Sequence, residues 1–177
     1  MGQGEINHSI WLIPEQSARE RFAAVMAELA ARHGGPAFGP HVTLLGGMSA
    51  KMGRERMMGL VQSLAEEIGR VRFAPTGFGH TDALYRAVYV EAAGSKALIK
   101  AHDAAAHVLF NLRGRFEGKK YLPHVSLLYG EMGQAEREAI VAGLDSALLA
   151  PFECDSIELW STSGMVSQWH RVGAARL

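Results

Sequence analysis

The sequence predicts an α+β fold with mostly antiparallel sheets, and three observations carry that prediction. Strand-like and helix-like segments alternate along the 177 residues. The octet PHVTLLGG, Pro40 to Gly47, returns as PHVSLLYG, Pro123 to Gly130. No Gly-rich phosphate loop follows the first strand, as a parallel dinucleotide-binding fold would require.

HSIWLIP, His8 to Pro14, is short and apolar and reads as a buried strand. From Pro14 to His33 the positions Phe22, Val25, Met26, Leu29 and Ala30 keep helical spacing, and a Gly pair ends the run. The first motif strand follows from about His41 to Gly46, with Gly46 to Gly53 read as a flexible rim. Met57, Leu60, Val61, Leu64 and Ile68 mark a second helix stopped by Gly69.

Val71 to Gly79 reads as an edge strand interrupted by Pro75 and Gly77, and Tyr85 to Ala92 as an alternating strand. Gly94 and Ser95 open a third helix with an apolar face of Leu98, Ala101, Ala105, Val108, Leu109 and Leu112. Arg113 to Lys120 is a polar turn leading to the second motif strand. A fourth helix spans about Gln134 to Leu149, and two closing strands meet around Ser163 and Gly164.

Each half thus reads strand, helix, motif strand, helix, strand. The expected organisation is one domain, residues 1–177, made of two pseudo-symmetric lobes of about 1–80 and 81–177. A pseudo-twofold pair would bring both motif strands to one cleft.

Composition narrows the setting. Eighteen basic residues balance eighteen acidic ones, and 48% of the chain is hydrophobic, an ordinary globular profile. A neutral chain favours a small ligand or a chain end over the long nucleic acid that a basic excess grips, without excluding RNA ends. The lone Cys154 forms no internal disulfide and reads as a small buried residue, which fits a reducing cytoplasm. No apolar run approaches the roughly 20 residues of a membrane helix, and Met1 to Ile10 lacks signal-peptide features. Ile6 stands where a myristoylation signal needs Ser or Thr. A cytoplasmic protein with no membrane partner is expected.

The repeated motif carries the chemistry. Strand side chains alternate, so His41 shares a face with Thr43, and His124 with Ser126. A core strand has no packing reason to repeat a histidine and a small hydroxyl in one register, so these residues read as functional. Two facing imidazoles can divide the work of neutral base and protonated acid. In-line displacement at phosphorus needs a proton removed on one side and one donated on the other, and the hydroxyls can donate to the non-bridging oxygens.

With those residues in place, the sequence resembles the 2H phosphoesterase superfamily over nearly its whole length. Its signature is two H-x-[ST] motifs with apolar flanks, and PHVTLL followed by PHVSLLYG is most similar to the cyclic phosphodiesterases of plant and yeast type. The resemblance implies a bilobal fold, with two mostly antiparallel sheets around a central cleft and helices outside. It implies metal-independent opening of nucleoside 2',3'-cyclic phosphates, or of ADP-ribose 1'',2''-cyclic phosphate, to the 2' or 2'' phosphate, with no cofactor. By resemblance His41, Thr43, His124 and Ser126 are catalytic and Tyr129 contacts the base or the phosphate. His124 is taken as general base and His41 as general acid, an assignment that chemical symmetry allows to be reversed. The expected partner is a small nucleotide bearing a cyclic phosphate, met by a monomer. An RNA-end cyclic phosphodiesterase or 2'-5' RNA ligase-like enzyme is the alternative, and a non-catalytic module binding nucleotides or RNA ends is a third reading.

Other candidates read more plainly. His102 and His107 lie five apart on a helix and do not share a face, and no acidic residue or cysteine stands at chelating spacing beside either motif, so no metal site is expected. His8, His33, His80 and His170 read as surface or core histidines. Gly46 to Gly53 lacks the G-K-[ST] ending of a phosphate loop. Arg115, Lys119 and Lys120 suit either anion steering or a solvated turn. Tyr85 and Tyr89, four apart on one strand face, are expected to pack inside, with base stacking as the other use. Met26, Met57 and Met58 are core filler.

Overall fold

The computed structural model describes residues 7–49, 53–108 and 121–177. Leu109, Leu112 and the turn from Arg113 to Lys120, with Arg115, Lys119 and Lys120, lie outside them. In chain order the elements are β1 (Asn7–Pro14), α1 (Gln16–His33), β2 (Val42–Ser49), α2 (Arg54–Ile68), β3 (Val71–Phe73), β4 (Pro75–His80), β5 (Val88–Ala92), α3 (Lys96–Val108), β6 (His124–Leu128), α4 (Gln134–Ala142), β7 (Phe152–Ser161) and β8 (His170–Arg176).

The strands form one antiparallel ladder in the order β3-β7-β1-β2-β6-β5-β4, with β8 also paired to β7. The expected α+β fold with antiparallel sheets is present, and the two sheets are continuous through a single bridge, Val42 to Val125. On one side of it β1 pairs with β2 and β7, and on the other β5 pairs with β4 and β6. The last strands of the two halves cross over: β4 lies beside β5, and β7 beside β1.

The helices carry the apolar stripes their spacing predicts. Ala18, Phe22, Met26 and Leu29 of α1 are buried, as are Met57, Val61, Leu64 and Ala65 of α2 and Leu98, Ala101, Ala104 and Ala105 of α3. Gly34 ends α1 in the left-handed region at φ 75°, donating its N–H to Ala30. Helices α2 and α3 pack on each other; α1 contacts β1 and β6, and α4 contacts β4 and β5. Cys154 is fully buried in β7.

Four elements depart from expectation. The edge strand expected over Val71 to Gly79 is two strands, because the chain leaves β7 at Phe73 and rejoins the opposite end of the sheet at Pro75. The strand expected from Tyr85 starts only at Val88, since Leu84 to Arg86 forms a 3-10 turn. Gly46 to Ser49, expected in a flexible rim, continues β2, where Met48 and Ser49 pair with His8 and Asn7. The fourth helix stops at Ala142 before Gly143; Asp145 then accepts from the Ala147 N–H and starts a separate 3-10 turn, Ser146 to Leu149.

Beyond Val42, β2 and β6 part, and side chains meet the backbone of β2 there. The Tyr121 hydroxyl donates to the Thr43 carbonyl at 3.1 Å, and His102 Nδ1 donates to that of Leu44 at 2.8 Å. The two rings stack at 4.2 Å and 4°. His102 therefore braces the back of the first motif strand.

Candidate active site

Side chains of β1, β2, β6 and the 3-10 turn before β5 line a cleft of about 560 Å³. His41, Thr43, His124, Ser126 and Tyr129 all border it, so the structure brings every sequence-predicted site residue to one place. Trp11, Tyr85, Arg86 and Trp169 join them, with Ser9 and Thr162 at the end where β1 meets the turn after β7.

The two histidines are held the same way. His41 Nδ1 lies 2.7 Å from the Gly39 carbonyl, and His124 Nδ1 lies 2.8 Å from that of Leu122. A carbonyl only accepts, so each Nδ1 carries the proton and each Nε2 keeps its lone pair as a base. In both cases the partner stands two residues earlier, immediately before the motif proline. That proline disfavours helix in the preceding residue and presents its carbonyl back to the ring.

Their surroundings differ. His41 is 4% exposed and lies flat on Trp11, with ring centroids 3.7 Å apart at 13°. Trp11 in turn stacks on Trp160 at 4.6 Å. Burial pushes the His41 pKa from 6.5 to about 4; the Gly39 carbonyl opposes that shift, and His124 adds to it. His124 is half-buried, edge-on to the Tyr89 ring at 5.6 Å. Burial also lowers its pKa; the Leu122 carbonyl opposes this, and the Arg86 guanidinium adds to it. Both imidazoles are therefore neutral at pH 7.

The hydroxyls differ as well. Thr43 sits opposite Trp11 in the β1–β2 register. Ser126 Oγ donates to the Tyr85 carbonyl at 3.0 Å, tying β6 to the 3-10 turn. Tyr129 is 3% exposed and stacks on Phe38 at 3.6 Å and 4°. Burial pushes its hydroxyl pKa up, while a hydrogen bond with Ser126 opposes the rise. Tyr129 thus forms a wall of the cleft, braced by Phe38.

The tyrosine pair expected to pack inside is split. Tyr89 lies in β5, where Gly79 faces it across the ladder; a Cβ on Gly79 would strike the Tyr89 ring, so glycine allows that ring to cross β4. Tyr85 is 47% exposed on the 3-10 turn and tilts toward Trp169 at 5.4 Å. The break at Leu84 turns it out of the sheet and onto the cleft.

Trp11, Arg86 and Trp169 are among the lining residues for which the sequence indicated no role in the site. Trp11 lies in an apolar strand and gains meaning only through its pairing with Thr43. Arg86 falls inside a run that alternates like a strand. Trp169 stands at the end of a 3-10 turn, Val166 to Gln168, which aims it back over the cleft. No group of three or more metal-ligating side chains occurs among the described residues, and no described helix is long and apolar enough to cross a membrane.

Known proteins resemble this chain in sequence and in fold. Residues 9–165 match the 2'-5' RNA ligase superfamily. A cyclic phosphodiesterase of Arabidopsis thaliana is 23% identical over 131 residues, 74% of this chain and 69% of that protein. The crystal structure of TT0787 of Thermus thermophilus shares the fold at TM-score 0.66 and 12% identity, with 97% of this chain and 98% of that one covered. Apo LigT of E. coli does so at TM-score 0.62 and 14% identity over 99% of each chain. The resemblance that the two H-x-[ST] motifs suggested is borne out, and the chain belongs to the 2'-5' RNA ligase superfamily of 2H phosphoesterases.

Proposed function

We propose that this protein hydrolyses 2',3'-cyclic nucleotides to the 2'-phosphate by two-histidine acid–base catalysis without a metal. One observation carries the reading: both motif histidines border one cleft with Nδ1 tied to a backbone carbonyl, which leaves two Nε2 atoms for proton transfer. The likeness to a cyclic phosphodiesterase supports the substrate class, and E. coli LigT, of the same fold, has been crystallised with 3'-AMP.

In the proposed reaction His124 Nε2 takes a proton from water as its oxygen bonds to phosphorus. The bond from phosphorus to the 3' oxygen breaks, and protonated His41 supplies the proton that makes it a hydroxyl. Half-buried His124 meets water from the open side of the cleft. Trp11 holds the His41 ring in place by stacking, and the anionic phosphate is what favours the imidazolium form against the burial that lowers the His41 pKa. Thr43 serves a non-bridging oxygen, Ser126 ties the 3-10 turn to the site through the Tyr85 carbonyl, and Tyr129 closes the wall beside them. ADP-ribose 1'',2''-cyclic phosphate presents the same five-membered cyclic diester.

The test is incubation with 2',3'-cyclic AMP and with a short RNA bearing a 2',3'-cyclic end, in EDTA, with chromatographic identification of products. Release of 2'-AMP is expected. Preference for the oligomer would assign the site to RNA ends, binding without turnover would make it a recognition module, and loss of activity in EDTA would overturn the metal-free mechanism.

A further inference from the structure

We propose that Arg86 is the anion anchor of the cleft, its guanidinium binding the non-bridging oxygens of the reacting phosphoryl group beside His124. The proposal deepens the phosphodiesterase reading and rests on it for the identity of the anion.

Charge is the first argument. Arg86 is the one permanently charged side chain among the described residues lining the cleft, and no carboxylate lines it. Its Nε is buried and finds no hydrogen-bond acceptor among the described residues. A partly buried guanidinium without a counter-charge is costly, and an anionic ligand offsets that cost. The planar fork of N–H groups matches two phosphoryl oxygens at once.

Rigidity is the second. The Arg86 N–H donates to the Ala83 carbonyl at 2.9 Å, and its own carbonyl accepts from Thr81 Oγ1 at 2.7 Å. The guanidinium carbon stands 5.4 Å from the Tyr89 ring, whose edge relation to His124 places cation, ring and imidazole in sequence. The 3-10 turn thus delivers a fixed positive charge to the His124 side, while Trp11 and Phe38 flank His41 on the other.

The third argument is a missing donor. The motifs lead one to expect two hydroxyls for the two non-bridging oxygens, yet Ser126 Oγ spends its proton on the Tyr85 carbonyl. Thr43 then supplies one donor and Arg86, the residue after Tyr85, supplies the other.

Arg86→Gln and Arg86→Lys test this by two readouts: binding of inorganic phosphate by titration calorimetry, and the pH dependence of kcat/KM for 2',3'-cyclic AMP. Arg86→Gln is expected to weaken phosphate binding and to lower kcat/KM, each at least about tenfold. Arg86→Lys, a charge without the fork, should recover part of both. His41, Arg86, Tyr89 and Glu91 are the titratable or charged groups around His124. Loss of the Arg86 charge should therefore move the His124 limb of the profile to higher pH, which a purely structural role would not do.

Unchanged phosphate binding and kcat/KM in a folded Arg86→Gln protein would overturn the proposal, as would a wild type that binds no phosphate. If Arg86→Gln does not fold, undiminished binding and rate in Arg86→Lys would overturn the need for a fork. Phosphate binding that depends on Arg86 in a protein that turns over neither substrate would sustain the anchor and overturn the hydrolase reading alone.

Discussion

Val42 of β2 and Val125 of β6 form the one backbone bridge that joins the two parts of the sheet among the described residues. His41 and Thr43 flank Val42 in sequence as His124 and Ser126 flank Val125, so the bridge stands between the histidine and the hydroxyl of each motif. Both valines are fully buried and, by strand alternation, point away from the catalytic face. The approximate symmetry of the site therefore rests on a pair of core residues behind it.

Removing bulk from that pair should loosen the core and the site together. Val125→Ala is expected to cost about 1.5–3 kcal/mol, the range for burying one aliphatic side chain, read from denaturant midpoints at unchanged slope. Because the valines touch the same bridge, Val42→Ala and Val125→Ala should combine non-additively. Strict additivity would mean that the bridge does not couple them.

His41→Ala and His124→Ala should each lower kcat at least about a hundredfold, the low end for a lost acid or base. Leaving-group chemistry separates their roles. A phosphodiester that expels nitrophenolate needs no proton on the departing oxygen, so it should restore much of the rate to His41→Ala and little to His124→Ala. Rescue of His124→Ala instead would reverse the assignment.

Both pKa shifts point the same way, which places the pH optimum. Burial lowers His41 to about 4 and moves His124 below 6.5. The competent form carries one proton on the pair, so kcat/KM should be bell-shaped with its maximum below pH 6.5 and a decline through neutrality. A bound phosphate anion raises both values, so the kcat profile should lie at higher pH. A kcat/KM plateau extending through pH 8 would contradict the burial of the pair.

Much of this was legible in the sequence, for a reason specific to β-strands. Alternation ties His41 to Thr43 and His124 to Ser126 without any tertiary information, and helical spacing identifies the buried stripes of α1, α2 and α3. Pairing between distant strands leaves no such mark. Trp11 belongs to the site because β1 lies beside β2 with Trp11 opposite Thr43. Tyr85 and Arg86 reach the cleft because a 3-10 turn interrupts an apparently regular strand. The chain's jump from one end of the sheet to the other at Ala74 was hidden for the same cause: the three residues of β3 and the six of β4 read together as one edge strand.

The depressed His41 pKa also makes stability depend on pH. The unfolded chain binds a proton near 6.5 and the folded one only near 4, so the unfolded state holds more protons between those values. His41's contribution is therefore complete above pH 6.5 and lost as pH falls toward 4, amounting to about 3 kcal/mol at most. His41→Gln, which cannot take up that proton, should flatten the fall of Tm across this window. An equal fall in the variant would assign the acid sensitivity elsewhere.

Exposed Tyr85 and half-buried Trp169 form the aromatic edge of the cleft, with centroids 5.4 Å apart. In the proposed reaction that edge receives the nucleobase, because a stacked ring adds affinity while remaining remote from phosphorus. One base–aromatic stack is worth about 1–3 kcal/mol, so Tyr85→Ala should raise KM for 2',3'-cyclic AMP by roughly five- to a hundredfold with kcat little changed. Glycerol 1,2-cyclic phosphate, which has no base, should show the same KM in the wild type and in Tyr85→Ala. Because Ser126 bonds the Tyr85 backbone carbonyl, that anchor survives the substitution, and a matching loss with both substrates would mean that Tyr85 shapes the site instead of gripping the base.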